Sequence, residues 1–243
     1  GFDDVLVVDG GSDDDTGEGA DREGARVVHQ SGSGKGQAVR EGVREHIDRE
    51  YVLMLDGDAT YGVGDAAAML EPLLDGDAEH VIGNRFADLR EGAMTRFNRV
   101  GNRIINRGFG LVHGERFTDI LSGYRAFTRE SFLSMTLSAD GFGIETEMAV
   151  ECAKHNVPTA VVPTTYRERR GGPATNPHPI RDGRVILLEL HRKALTNHRL
   201  FYSASAGVAS TLARLAMGAF VLYRYRASRI SHHHTAVWAR RAT

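Results

Sequence analysis

Short continuous apolar runs, rather than alternating ones, mark most of this chain. Residues 5–8 (VLVV), 26–28 (RVV), 51–55 (YVLML), 81–82 (VI) and 159–162 (TAVV) each read as a strand covered on both faces. Helical periodicity separates them at residues 36–47, 64–74 and 144–155. Strands alternating with helices predict parallel β-α-β units and an α/β domain. Ligands of such sheets gather beyond the carboxyl ends of the strands. Two acidic clusters stand at those ends, "DGGSDDDT" after Val8 and "DGDATY" after Leu55.

The tail breaks the pattern. Residues 200–223 hold one charge, Arg214, among apolar and small residues. Arg192, Lys193 and Arg199 precede the run, and Arg224, Arg226 and Arg229 follow it. About 20 apolar residues span a bilayer, and small residues are common in membrane helices. A membrane-spanning helix is the expectation; Arg214 near the middle keeps a buried core helix as the competing reading. The domain division is then a catalytic domain at 1–197 and a hydrophobic tail at 198–243. The chain opens on Gly1 and enters a strand almost at once, which suggests a natural start further upstream.

Composition narrows the classes. Hydrophobic residues at 41% and charged residues at 26% are ordinary for a globular protein. A net charge of −2 provides no global basic field, so nucleic acid is not an expected partner. The lone Cys152 excludes an intramolecular disulfide.

Gly34 and Lys35 supply the G-K of a triphosphate-binding loop, but His29 stands where that pattern needs glycine and Gly36 where it needs a hydroxyl. A nucleotide triphosphatase is therefore excluded. A Gly-rich turn feeding a helix still offers N–H groups and a positive dipole end, so either a phosphate contact or a plain turn fits. Asp56-Gly57-Asp58, directly after a strand, can hold a divalent cation through carboxylate oxygens, although Asp-Gly also makes turns. Asp9, Ser12, Asp14 and Thr16 suit a ligand loop or an Asx-turn and helix cap. Arg96, Arg99, Arg103 and Arg107 form one stripe of a helix. That stripe is either a solvated face or a membrane-surface helix meeting anionic headgroups and a lipid phosphate.

"VVDGGSDDDT", "GSGKGQAVREG" and "LMLDGDATY", in that order, resemble the family 2 glycosyltransferases of the GT-A fold. Downstream, "VIGNRF", "RFNRVGNRIINRGFG", "TDILSGYRAF", "GFGIETEM" and "YRERRGG" are similar to the dolichyl-phosphate (polyprenyl-phosphate) hexose synthases. "ATNPHPIRDG" and the hydrophobic tail look most like an archaeal branch that loads the first sugar for protein N-glycosylation. The resemblance covers roughly residues 5–223. It implies a nucleotide-diphospho-sugar transferase fold, a mostly parallel sheet flanked by helices, followed by a C-terminal hydrophobic helix. It implies inverting transfer of a hexose from a UDP- or GDP-sugar to dolichyl phosphate, with Mg²⁺ or Mn²⁺. The expected location is the cell membrane, with the catalytic domain cytoplasmic.

The same resemblance assigns residues. Asp9 and Ser12 would meet the nucleoside, Lys35 a donor phosphate, and Asp56 and Asp58 the metal on the diphosphate. Asp58, Glu145 and Glu147 would be the catalytic carboxylates. Arg85, Arg99, Arg103, Ser122, Arg125 and Arg169 would receive the acceptor phosphate, for which a planar guanidinium gives paired hydrogen bonds. A lipid monophosphate is largely dianionic at neutral pH and already nucleophilic.

The chain departs from the family in four places. No P-x-x-N-E-like strand, which would be central in the sheet, precedes Val5. Gly10 replaces a frequent Asp, Pro173-Ala174-Thr175 replaces Ser-Lys-Leu, and a second hydrophobic helix is missing after Ile230. A glycan hydroxyl acceptor and a non-catalytic sugar-nucleotide-binding fragment stay open as alternatives.

Overall fold

The computed structural model describes residues 2, 4–12 and 14–169, and in the tail residues 207, 210–215, 217, 218 and 220. Two compact units divide at Asn197 and His198.

In the first unit β1 (Leu6–Asp9), α1 (Thr16–Arg22) and β2 (Arg26–His29) make a right-sized β-α-β unit, with β1 and β2 parallel. There follow α2 (Lys35–Glu41), a π-turn over Gly42–His46, β3 (Tyr51–Met54) and α3 (Ala66–Leu74). β4 (His80–Leu89), α4 (Arg96–His113), β5 (Arg125–Thr128), α5 (Arg129–Ser134), α6 (Ile144–His155) and β6 (Thr159–Tyr166) complete the unit. The second sheet has the order β3-β5-β4-β6. Its β5 runs antiparallel to both β3 and β4, whereas β4 and β6 are parallel. The expected mostly parallel sheet is thus corrected to a mixed one by a strand inserted after a long loop.

Two-residue strand periodicity builds the core on both faces of that sheet. Ile82 and Phe127 point to one side, among Phe109, Phe132, Ile144 and Met148. Their neighbours Val81 and Ala126 point to the other, among Tyr61, Met69, Leu73 and Tyr124. Each fully buried Leu, Ile, Phe or Met side chain contributes roughly 1.5–3 kcal/mol. Among the described residues β1 pairs with β2 alone, in a two-stranded sheet, and β3 with β5 alone, at one edge of the four-stranded sheet.

Local signals set α4. The Thr95 hydroxyl accepts from the Asn98 N–H at its start, and Gly114, at φ +78°, ends it in the left-handed region that favours glycine. Ile105 and Phe109 face the core.

The predicted membrane helix at 200–223 falls largely outside the described residues. Those described within it are helical, with Leu212, Leu215, Met217 and Phe220 exposed. Among the described residues no helix is long and apolar enough to cross a membrane.

Candidate active site

The Gly-Lys-Gly segment leads into α2, and its glycines have a different use from a phosphate cradle. A Cβ on Gly34, at φ +92°, or on Gly36 would overlap the backbone of Asp140 and Ala139. The Gly36 and Gln37 N–H groups donate to the Asp140 carbonyl at 2.8 and 3.2 Å. The first-turn amides expected to be free for phosphate are therefore engaged by the 138–140 loop. Glu147 holds that loop: its carboxylate accepts from the N–H groups of Ser138 and Ala139 at 2.7 and 2.8 Å and from the Ser138 hydroxyl at 2.8 Å. Glu147, expected among the catalytic carboxylates, is buried there against the loop.

Lys35 reaches past the glycines to the end of β3. Its Nζ sits between Asp56 and Glu145, the latter at 2.6 Å. Burial disfavours the charged ammonium, but Glu145 and Asp56 together override it and hold the Lys35 pKa above its ordinary value. The triad joins three separate elements: α2, the loop after β3, and the first turn of α6.

Gly123 closes this node, and no local sequence signal singles it out. A Cβ there would lie 2.6 Å from Asp56 Oδ2 and 2.7 Å from Lys35 Nζ. Its N–H donates to the Tyr61 hydroxyl at 2.8 Å. Burial pushes the Tyr61 phenol up to about 12, so it stays a neutral hydrogen-bonding group. Ser122, next in the loop, is buried, and its hydroxyl accepts from the Tyr124 N–H at 3.3 Å.

Asp58 turns the other way. Its Oδ1 accepts from the Thr60 N–H at 3.1 Å and hydroxyl at 2.6 Å, an Asx-turn that fixes the carboxylate. Its Oδ2 lies 3.1 Å from Arg169 Nη2. Asp56 and Asp58 thus each face a cationic side chain at the carboxyl end of β3. Hard carboxylate oxygens two residues apart, one locked in direction by Thr60, fit Mg²⁺ or Mn²⁺. Among the described residues, the carboxylate–imidazole group with atoms close enough to share one cation is Glu41, Glu45 and His46. Glu41 is already committed to Ser31 and Gln37.

Asp9 ends β1 and is buried; its Oδ1 accepts from the Ser12 hydroxyl at 2.6 Å and N–H at 3.2 Å. Those hydrogen bonds, with His29 Nδ1 at 3.4 Å, lower the Asp9 pKa. The structure thus shows the Asx-turn, with Asp9 Oδ2 on the side of His29.

The arginines assigned to the acceptor separate into three kinds. Arg125 is fully buried and donates to the carbonyls of Ile120, Ser122 and Glu145 at 2.7–3.1 Å. Its Nη1 meets His80 Nε2 at 2.9 Å, and burial with this guanidinium keeps His80 well below its ordinary pKa. Arg125 is thus a strut of the loop. Arg85 is buried too, forked onto Asp119 through two 2.7 Å bonds. Burial opposes its charge, yet the Asp119 carboxylate raises its pKa well above the ordinary value. Both guanidiniums are held by partners inside the fold. Arg99 is half-buried, while Arg103, with Arg96 and Arg107, is exposed on α4, and Arg169 stands at the Asp58 carboxylate. The structure thus brings Lys35, Asp56 and Glu145 together, with Gly123 of the 122–124 loop against them, and pairs Asp58 with Arg169.

The model of the family described as Glycosyl transferase family 2 matches residues 1–134. Glycosyltransferase AglJ of Haloferax volcanii is 63% identical over 237 residues, spanning 98% of this chain and 78% of that protein. A dolichyl-phosphate hexose transferase of the same organism is 35% identical over 173 residues, 71% of this chain and 74% of that one. Among solved structures, glucosyl-3-phosphoglycerate synthase from Mycobacterium tuberculosis, in complex with Mn²⁺ and uridine-diphosphate-glucose, superposes with a TM-score of 0.64 at 23% identity. That match covers 79% of this chain and 68% of the other and carries the α/β, GT-A-like fold. The sheet order, the acidic end of β3 and these matches agree: the chain belongs to glycosyl transferase family 2, and it is a glycosyltransferase.

Proposed function

We propose that the enzyme transfers a hexose, with inversion, from a nucleoside-diphosphate sugar to dolichyl or another polyprenyl phosphate at a membrane surface, supplying a lipid-linked sugar for protein N-glycosylation. The observation that carries the acceptor is α4. Phe97, Val100, Ile104 and Leu111 are 53–77% exposed on it. Arg96, Arg103 and Arg107 stand exposed on the same helix. Exposed apolar residues at helical spacing, interleaved with arginines, match a bilayer interface of anionic headgroups over acyl chains. Relatives named as dolichyl-phosphate hexose transferase and undecaprenyl-phosphate mannosyltransferase support the same acceptor class.

In this reading Asp56 and Asp58 hold Mg²⁺ or Mn²⁺, which stabilises the departing nucleoside diphosphate. The Mn²⁺ in the glucosyl-3-phosphoglycerate synthase complex supports that choice. Lys35 anchors Asp56 and Glu145 and adds positive charge beside the donor diphosphate. Asp9 and Ser12 line the nucleoside end. Arg169, with Arg99 and Arg103 of α4, orients the acceptor phosphate. One acceptor oxygen forms a bond to the anomeric carbon while the bond to the donor diphosphate breaks, its electron pair leaving with the nucleoside diphosphate. The dianionic nucleophile needs no strong general base, so catalysis rests on in-line positioning and charge stabilisation. Glu145 accordingly positions Lys35 rather than removing a proton.

Incubation with radiolabelled UDP- and GDP-hexoses and polyprenyl phosphate, followed by organic extraction, tests the reading. Label in a mild-acid-labile lipid is the expected result. Label confined to a water-soluble glycan would overturn it.

A further inference from the structure

Arg125 opens β5 fully buried, and its hydrogen-bond partners are three backbone carbonyls and one imidazole nitrogen, none of them a carboxylate. Its planar fork ties together two stretches of chain that lie apart in sequence. Nε donates to the Ser122 carbonyl at 3.1 Å, and Nη2 donates to those of Ile120 and Glu145 at 2.7 and 2.9 Å. Both stretches wall the Lys35 node. The first leads directly to Gly123, where Asp56 and Lys35 occupy the space of a Cβ. The second carries the Glu145 carboxylate, 2.6 Å from Lys35 Nζ.

His80 completes the fork from the neighbouring strand. It lies opposite Phe127 in the β4–β5 ladder, and the two rings stack with centroids 5.8 Å apart and planes 12° from parallel. A guanidinium can only donate, so His80 Nε2 accepts from Arg125 Nη1 at 2.9 Å and the ring proton sits on Nδ1. An imidazolium would set a second donor against the guanidinium, so only the neutral ring serves here. Nδ1 is buried and, among the described residues, has no hydrogen-bond partner. A buried N–H left unpaired is costly, yet the ring is turned so that Nε2 meets Arg125.

We propose that His80 and Arg125 are positioning residues for sugar transfer: the imidazole aims the guanidinium, and the guanidinium holds the Gly123 loop and the Glu145 backbone at the spacing that Lys35 and Asp56 require. Neither side chain touches the reacting atoms. The inference rests on the reading of the Lys35 node as part of the donor-diphosphate site and adds the internal strut that sets its width. The strut has a kinetic signature of its own. A phosphate contact at Arg125 would act on KM for the polyprenyl phosphate, whereas a strut acts on kcat.

Steady-state hexose transfer by the intact chain, beside circular dichroism and thermal melts, tests this. His80→Leu keeps bulk and removes the acceptor. Its kcat should fall about tenfold or more, since misplacing a group by about 1 Å costs roughly 100-fold, and its KM for polyprenyl phosphate should stay within about twofold. His80→Gln, whose Oε1 can stand where Nε2 stood, should recover kcat to within about threefold of wild type. Arg125→Lys keeps the charge and loses the fork, so it should lower kcat about 100-fold, again with KM for polyprenyl phosphate nearly unmoved. Leu73→Ala opens a cavity on the other face of the sheet and should lower the melting temperature while kcat of the folded enzyme stays within about twofold. A folded His80→Leu enzyme with wild-type kcat, or a His80→Gln enzyme as impaired as His80→Leu, would overturn the proposal. Should His80→Leu not fold, Arg125→Lys decides: wild-type kcat, or a rise confined to KM for polyprenyl phosphate, refutes the strut. An equal loss of kcat in Leu73→Ala would assign the effect to stability and refute it too. Lys35→Met separates the two readings. Full activity there sinks the donor-site reading and the strut together, while an impaired Lys35→Met beside unimpaired His80 and Arg125 variants sinks the strut alone.

Discussion

Gly123→Ala is the sharpest probe of the node around Lys35. The added Cβ would sit 2.6 Å from Asp56 Oδ2 and 2.7 Å from Lys35 Nζ, and ordinary contact begins at 3.4 Å. The carboxylate oxygen must therefore retreat by about 0.8 Å, or the Gly123 backbone must move by as much. Neither has slack. Lys35 is held by Glu145 at 2.6 Å on its far side, and the Gly123 N–H is tied to the Tyr61 hydroxyl at 2.8 Å. Overpacking of this kind costs about 1–3 kcal/mol. For a chain of this size that corresponds to a fall in Tm of roughly 2–12 °C, with folding retained. The larger effect is on chemistry, since misplacing a group by about 1 Å costs roughly 100-fold. The expected kcat/KM for hexose transfer is thus lowered about 100-fold, or about 2.7 kcal/mol. KM for the polyprenyl phosphate should change little. Steady-state transfer from labelled donor, beside circular dichroism of the same preparation, separates the two effects. A folded Gly123→Ala enzyme within about threefold of wild-type kcat/KM would refute the reasoning, because the node would then tolerate the displacement.

Asp119→Ala should strand the buried Arg85 guanidinium and cost about 3–5 kcal/mol; a thermal melt showing less than about 2 °C of change would dismiss the pair as structural. Asp58→Asn, or EDTA on the wild type, should abolish transfer without unfolding, and full activity in EDTA would remove the metal from the reading. Phe97→Asp with Ile104→Asp should lower partition onto anionic phospholipid vesicles by roughly 100-fold or more, because each inserted side chain is worth about 1.5–3 kcal/mol; sedimentation with vesicles reads this directly. Burial pushes the Cys152 thiol from 9.0 up to about 11. The folded state thus favours the neutral thiol: this stability is fully present below about pH 9 and is lost as pH rises toward about 11. The wild type should lose about 2–3 kcal/mol more than Cys152→Ala between those pH values in guanidinium titrations, and equal slopes would contradict it.

What the sequence makes legible is what one element records by itself. The runs at 5–8 and 51–55 become β1 and β3, and the acidic triplet follows β3 as its position implies. The helix at 144–155 coincides with α6. β5 is hidden because it opens with Arg125, and a charge at a strand end reads as exposed unless its partners are known. Those partners are three backbone carbonyls and His80. The glycines at 34 and 36 are hidden in the same way, since the loop that needs them small lies about a hundred residues downstream. Gly123 is set by Lys35 and Asp56, neither of them near in sequence. The arginines carry the argument further. Arg85, Arg125 and Arg169 are the same chemical group, and the family resemblance assigned all three to a phosphate. The fold sorts them by what already faces each one. A buried aspartate holds Arg85, and a ring of carbonyls holds Arg125; both are locked because unpairing a buried guanidinium is costly. Arg169 also faces a carboxylate, that of Asp58, but its side chain is 44% exposed, so of these three it is the one whose charge water still solvates.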